Sequence, residues 1–128
     1  MNSEGPLEKD AFPALPLLVA WAVICVILLA TGAQNLLARS FLDPDDAMRL
    51  VQVRDLIGGQ GWFDLTQYRL DPPAGTPMHW SRLVDLPILL VIKALTPLFG
   101  QAGAEMAAFL IIPFATLGIA LAIIGRLA

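Results

Sequence analysis

Three aspartates, Asp43, Asp45 and Asp46, lie within four positions of an otherwise apolar sequence, in the stretch FLDPDDAMRL at residues 41–50. Like charges this close repel one another, and a cation, a proton or a positive substrate group commonly offsets the repulsion. Carboxylates bind hard cations such as Mg²⁺ or Mn²⁺, and a metal-free carboxylate can accept the proton of an attacking hydroxyl. The cluster of Asp45, Asp46 and Asp43 is therefore a candidate catalytic or metal-binding site. Asp45 and Asp43 are also candidate ligands of a divalent cation.

A structural explanation of the same acids is equally simple. Asp43 or Asp45 can cap the N-terminus of a helix that Pro44 opens, and the other acids favour the positive end of the helix dipole. One acid satisfies a cap, so three exceed what the cap needs. The Asp-x-Asp spacing alone is a weak motif, and the structural and chemical explanations both stay open at this point.

The candidate phosphate-binding residues are Arg54, Arg69, Arg82 and His79. The arginines carry a permanent charge on a forked group that matches phosphate oxygens. Their alternative role is ion pairing with Asp71 or Asp85. For the single histidine, the alternative is an interfacial side chain hydrogen-bonded to the loop backbone.

Several function classes lack their motifs in this sequence. It contains no GxxxxGK, HExxH, CxxC or GxSxG pattern, which leaves P-loop NTPases, zinc proteases, thiol redox proteins and serine hydrolases without support. The sequence also lacks the clustered lysines and arginines of a nucleic-acid-binding surface, so we expect no nucleic-acid partner.

The elements that must position these residues are membrane helices. The chain is 57% hydrophobic and 15% charged, with a mean hydropathy of +0.70. Residues 14–33 are free of charge and long enough to cross a hydrocarbon core of about 30 Å. A cleaved signal peptide is the alternative, but residues 1–13 carry more acids than bases, whereas a signal peptide begins with basic residues. We expect 1–13 to be a cytoplasmic tail and 14–33 an uncleaved anchor.

The fold predicted for the whole chain is an all-α membrane protein with about three transmembrane helices. Residues 86–100 and 104–126 are the second and third predicted crossings, and Lys93 interrupts the former. Residues 34–85 form a long loop in which apolar residues at helical spacing predict an interfacial amphipathic helix over 45–57. Glycines at 58, 59 and 61 end this helix.

The residues of the loop resemble a known family. DDAMRLVQVRDLIGGQGWF is similar to the first extracytoplasmic loop of GT-C-class membrane glycosyltransferases, which include protein O-mannosyltransferases and lipid A aminoarabinose transferases. Asp45 and Asp46 match the family's acidic pair, Arg54 and Asp55 its Arg-acid step, and Trp62 its tryptophan. The stretch DPPAGTPMHWSRLVDLPILLVIKALTPLFG resembles the proline-rich segment and second helix of the family, and Asp43-Pro44 is similar to the start of the same loop in oligosaccharyltransferase catalytic subunits.

This resemblance implies an enzyme that transfers a sugar from a polyprenyl-phosphate donor to an extracytoplasmic acceptor. It also implies membrane lipid and a lipid-linked donor as partners, and a bacterial inner membrane location with a periplasmic loop. The family carries many more membrane helices, so we expect the 128 residues to be the N-terminal portion of such an enzyme, completed by further helices and inactive alone. The alternative is a small non-enzymatic three-helix membrane protein that uses its acidic loop for docking or assembly.

Overall fold

The computed structural model describes residues 14–38 and 43–127, and these residues are mostly helical. The predictions for the tail 1–13 lie outside the described residues. Helix α1 comprises Ala14–Ala38 and helix α2 comprises Pro44–Ile57. The long helical run α3 comprises Arg82–Leu127. Both α1 and α3 are long and apolar enough to cross a membrane, which confirms the helical class and agrees with a membrane protein.

Helix α1 extends five residues beyond the predicted end at residue 33. The segment AQNLLA lacks proline and charge, so nothing in it stops the helix at Gly32 or Ala33. The predicted loop 34–85 therefore begins later along the chain, after Ala38. The start of α3 at Arg82 likewise shortens the loop at its other end.

Helix α2 agrees closely with the predicted helix 45–57. The side chain of Asp43 accepts a hydrogen bond from the backbone N–H of Asp45 at 2.9 Å, so Asp43 is the N-cap, and Pro44 occupies the first turn. At the other end the backbone N–H of Gly58 donates to the carbonyl oxygen of Arg54 at 2.9 Å. The predicted apolar positions Leu50 and Val53 are buried.

The loop between α2 and α3 contains a short antiparallel ladder of two strands. Strand β1 (Thr66–Gln67) pairs with strand β2 (Thr76–Pro77), with Thr66 opposite Pro77 and Gln67 opposite Thr76. Gly75 has a φ of 76°, and a Cβ there would collide with the side chain of Thr66. The turn that precedes β2 therefore requires glycine.

The second and third predicted helices are one helical run with a single break. Gly100 has φ 67° and ψ 170°, values that interrupt a helix and favour glycine. The break separates a proximal segment, residues 82–99, from a distal segment, residues 101–127. Residues 101–103, which the prediction leaves between the second and third crossings, are helical, and one glycine makes the turn.

Helix α1 packs against the distal segment in antiparallel orientation. Trp21 Nε1 donates to the carbonyl oxygen of Phe114 at 2.8 Å, and the Trp21 ring also lies against Gly118. Leu17, one turn earlier in α1, lies against Gly125, almost two turns later in the distal segment. Three successive crossings would make these two helices parallel, so the pairing differs from the predicted order of three crossings.

A small core joins α2 to both segments of α3. Leu50 and Val53 of α2 contact Ile88 and Ile92 of the proximal segment. Two small residues near the start of the distal segment, Ala104 and Ala108, complete this buried cluster. The core thus sits where α2, the proximal segment and the beginning of the distal segment meet.

We predict that Gly118→Val weakens the packing of α1 on the distal segment. A Cβ at Gly118 would lie 3.2 Å from Trp21 Nε1, and the hydrogen bond to Phe114 holds the indole in place. Overpacking of this kind costs about 1–3 kcal/mol. Gly32→Val is the matched control, because nothing lies within 4 Å of a Cβ at Gly32. Thermal unfolding in detergent measures both variants, and an equal loss of stability in the two would contradict the packing.

Candidate functional site

A buried carboxylate, Asp85, connects α2 to the start of α3. Its side chain is 0% exposed. Oδ1 accepts a hydrogen bond from Arg49 Nη1 at 2.9 Å, and Oδ2 accepts one from Gln52 Nε2 at 2.9 Å. Arg82, one turn before Asp85 in α3, places its Nη1 3.5 Å from Oδ2. Two cations and an amide therefore surround one buried negative charge, as a buried carboxylate requires.

Arg82 extends this network into the loop. Its Nη1 donates to the carbonyl oxygen of Gln52 at 3.0 Å, and its Nη2 donates to Gln60 Oε1 at 2.9 Å and to the carbonyl oxygen of Asp64 at 2.6 Å. The residue is 4% exposed. These contacts place Arg82 in the interior, where it pairs with Asp85, the alternative partner considered from the sequence. A phosphate-binding role for Arg82 stays a prediction.

Arg54 makes a two-pronged ion pair with the distal segment. Its Nε and Nη2 donate to the two carboxylate oxygens of Glu105 at 2.7 and 2.6 Å. Gln101 Nε2 donates to Glu105 Oε1 at 3.0 Å. Glu105 is buried, whereas the Arg54 side chain is 48% exposed. The planar fork of arginine matches a carboxylate in this way, and the pair holds the end of α2 on the distal segment.

Arg69 pairs with Asp55 rather than with Asp71. Arg69 Nη1 donates to both oxygens of Asp55, at 3.0 and 2.7 Å, and Gln67 Nε2 donates to Asp55 at 3.2 Å. The contacts tie the short ladder to α2. An open polar depression of about 620 Å³ lies beside this pair, lined by Arg54, Asp55, Gly58, Gln60, Asp64, Tyr68 and Arg69. Two of the three predicted phosphate-binding arginines therefore face one depression.

Asp64, at the edge of this depression, has a pKa below its ordinary value. Hydrogen bonds to the carboxylate lower it, first the one from the backbone N–H of Thr66. The carboxylate of Asp64 therefore stays ionised at neutral pH, and the depression carries acids as well as arginines.

The three predicted catalytic acids lie together at the start of α2 and are all exposed. Asp43 is used as the cap. Asp45 and Asp46 make no side-chain hydrogen bond or ion pair with any residue in the described part of the chain. Asp45 stands one turn before Arg49 and two turns before Gln52, so these three residues share a helix face. Asp46 shares the face of Leu50 and Val53.

The surroundings of Asp46 raise the pKa of its carboxyl group. Desolvation is the largest cause, and the negative charges of Asp43 and Asp45 act in the same direction, while Arg49 opposes them. A raised pKa brings a carboxylate closer to the range in which it accepts protons near neutral pH. The repulsion among three acids within four positions, which contributes to this shift, can be read from the sequence alone.

His79 is exposed and lies edge-on to Trp80, with ring centroids 5.8 Å apart. The guanidinium carbon of Arg49 lies 4.8 Å from the centre of the Trp80 ring, within the range of a cation–π contact. Trp80 therefore helps Asp85 to fix Arg49. His79 is connected to Arg49 and Asp85 only through Trp80. A phosphate-binding role for His79 stays a prediction.

The donor set for a divalent cation at Asp45 and Asp43 is incomplete. Among residues 14–38 and 43–127, no three His, Cys, Asp or Glu side chains come together in a way that could hold a metal ion. Mg²⁺ commonly takes one or two carboxylates together with waters and substrate phosphates. A cation site at Asp45 and Asp43, in which a substrate would supply the remaining oxygen ligands, therefore stays a prediction.

Comparisons with protein-family models, with curated proteins and with solved structures find no match to this chain. The case for the site therefore depends on the geometry of its own residues.

Some pairings in the network were not predicted from the sequence. Asp85 and Glu105 are the acceptors that bind Arg49 and Arg54, and Gln60 is a ligand of Arg82. A signal was present, because Glu105 is a lone acid in an apolar segment and a buried charge needs a partner. Arg49, Gln52, Arg54 and Asp55 of α2 each make a hydrogen bond to another polar side chain.

We predict that Asp85→Asn destabilises the fold strongly. The change preserves the shape of the side chain but leaves Arg82 buried without its counter-charge, and breaking a buried pair costs about 3–5 kcal/mol. Asp71→Asn is the control, because Asp71 is exposed and asparagine tolerates its φ of 52°. Circular dichroism monitors the unfolding of both variants in detergent and so measures the loss of stability in each. A loss below about 1 kcal/mol for Asp85→Asn would show that its charge is not needed.

Proposed function

We propose that this chain forms one wall of the site of a membrane glycosyltransferase, with Asp45 as the catalytic carboxylate. One observation carries the proposal. Among the acids of the described helices, Asp55, Asp85 and Glu105 are each bound by arginine, whereas Asp45 and Asp46 are exposed and unpaired. An acid pair without a structural partner on a helix that is otherwise held by ion pairs is available for a substrate.

In the proposed reaction, Asp45 accepts the proton of an acceptor hydroxyl while the hydroxyl oxygen bonds to the anomeric carbon of the sugar. The bond from that carbon to the phosphate oxygen breaks, and the phosphate leaves with the electron pair. In this proposal Asp43 supports Asp45 by capping the helix at its backbone N–H, and Asp46 adds negative charge that attracts a cation to the site. The family resemblance supports an inverting transfer outside the cytoplasm.

Phosphate binding is assigned to the polar depression beside α2. Arg54 Nη1 and the Nε and Nη2 of Arg69 make no hydrogen bond to the described residues, so each guanidinium retains donors for phosphate oxygens. The Arg69 side chain is 63% exposed. The donor proposed for this position is a polyprenyl-phosphate sugar.

The proposed location is the bacterial inner membrane, with the loop and α2 in the periplasm. Exposed aromatic side chains in the loop, Trp62, Phe63 and Tyr68, support a position at a membrane surface. Further helices of the same enzyme would complete the site.

A second candidate is a non-enzymatic membrane protein that uses the acidic loop for docking or assembly. The observation that favours it is the pairing of Arg54, Arg69 and Arg82 with acids of the same chain. Charges that neutralise one another stabilise a scaffold, and they leave the exposed acids at the start of α2 as a patch for a basic partner.

We predict that Asp45→Asn in the complete enzyme lowers turnover by about 10²-fold or more, because it removes the proton acceptor at constant shape. Asp43 and not Asp45 caps α2, so the change leaves the cap in place. The assay is glycosyl transfer from polyprenyl-phosphate sugars with Mg²⁺ or Mn²⁺ added, and the control is Asp71→Asn. Normal turnover of the Asp45→Asn protein would favour the docking candidate.

A further inference from the structure

The orientation of the helices determines which ends lie together. Because α1 and the distal segment are antiparallel, the end of α1 near Ala38 and the start of the distal segment near Gly100 lie at the same end of the helix pair. If both helices cross a membrane, the chain leaves α1 and enters the distal segment on the same side. The proximal segment then begins and ends on that side.

Helix α2 fixes the depth of the proximal segment. Leu50 and Val53 pack on Ile88 and Ile92, while Arg54 reaches Glu105 just beyond the break. A crossing by the proximal segment would draw α2 into the hydrocarbon with it. The exposed Asp45 and Asp46 would then lose their water, which strongly disfavours two ionised carboxylates.

The outward face of the proximal segment is apolar. Leu83, Leu86 and Leu90 are 71%, 38% and 57% exposed. The opposite face carries Arg82 and Asp85, which are buried against α2 and the loop. A helix with a polar face against protein and an apolar outer face suits the boundary between water and lipid.

Lys93 lies at the edge of this apolar face. It is exposed and makes no ion pair with the described residues. In a crossing helix of residues 82–99 it would lie six residues before residue 99, about 9 Å at about 1.5 Å per residue, whereas on the membrane surface its long stem reaches water directly.

We propose that the proximal segment lies on the membrane surface beside α2, with lipid covering Leu83, Leu86 and Leu90, and that the described residues, 14–38 and 43–127, cross the membrane only twice. The crossings are α1 and the distal segment, which is about 40 Å long at about 1.5 Å per residue and spans a core of about 30 Å. Gly100 makes the turn from the surface into the second crossing. The inference does not depend on glycosyl transfer.

Single-cysteine labelling of the full chain in cells tests the two crossings. Cys25 is replaced by serine, and Thr76→Cys, Ala102→Cys and Leu127→Cys are labelled one at a time with a maleimide that cannot cross the membrane. We expect positions 76 and 102 to react from the same side and position 127 from the other. Three crossings would place 102 opposite 76 and return 127 to the side of 76, and that result would overturn the proposal.

The depth of the proximal segment provides a second test. Spin labels at Leu90 and at Ile111, both exposed, are compared in lipid bilayers for their accessibility to oxygen and to a water-soluble nickel complex. We expect the label at Leu90 to lie near the headgroups and the label at Ile111 deep in the hydrocarbon. Equal depth of the two labels would show that the proximal segment crosses the membrane.

Discussion

The buried charge of Asp85 is the constraint on which the rest of the structure depends. A carboxylate removed from water destabilises a protein unless cations and hydrogen-bond donors replace the lost hydration. Asp85 obtains these groups from three places in the sequence, Arg49 and Gln52 in α2 and Arg82 on its own helix. Because Arg82 also binds the carbonyl oxygen of Asp64, the same charge fixes the loop.

The contacts of Asp85 explain how the exposed acids Asp45 and Asp46 are held in place without being neutralised. Arg49 is the cation closest in sequence to Asp45 and Asp46, and it would be their natural ion-pair partner at helical spacing. Asp85 and the ring of Trp80 hold Arg49 instead. The acids remain available at the end of a rigid helix, as a site that receives a substrate requires.

Local patterns predicted α2 well, and the arrangement of the helices less well. The Asp43 cap, the apolar positions of α2 and the terminating glycines depend on neighbouring residues, so the sequence contains their cause. The break at Gly100 and the antiparallel pairing of α1 depend on contacts such as Trp21 with Phe114, which join distant residues. Hydropathy reports only how apolar a segment is on average. The proximal segment is apolar on average although its buried face carries Arg82 and Asp85, so hydropathy predicted a crossing there.

The ion-pair partners of the arginines likewise depend on contacts between residues that are distant in the sequence. Sequence proximity favours Asp71 for Arg69, but the fold supplies Asp55, because the short ladder turns Arg69 back toward α2. Glu105 is 51 residues from Arg54, and only the fold brings them together. The acids at the start of α2 could therefore be identified from the sequence, while the ion pairs that hold α2 required the structure.

Hydrogen exchange of the α2 amides in the full chain, reconstituted in lipid, tests most directly whether the buried charges hold the helix that carries the acids. The variant is Arg82→Gln, which removes the cation that links Asp85 to the loop. If the buried charges hold α2, we expect slow exchange at Leu50 and Val53 in the wild-type chain, faster exchange at both in the variant, and no change in α1. Fast exchange of these two amides in the wild-type chain, or no change in the variant, would contradict this explanation.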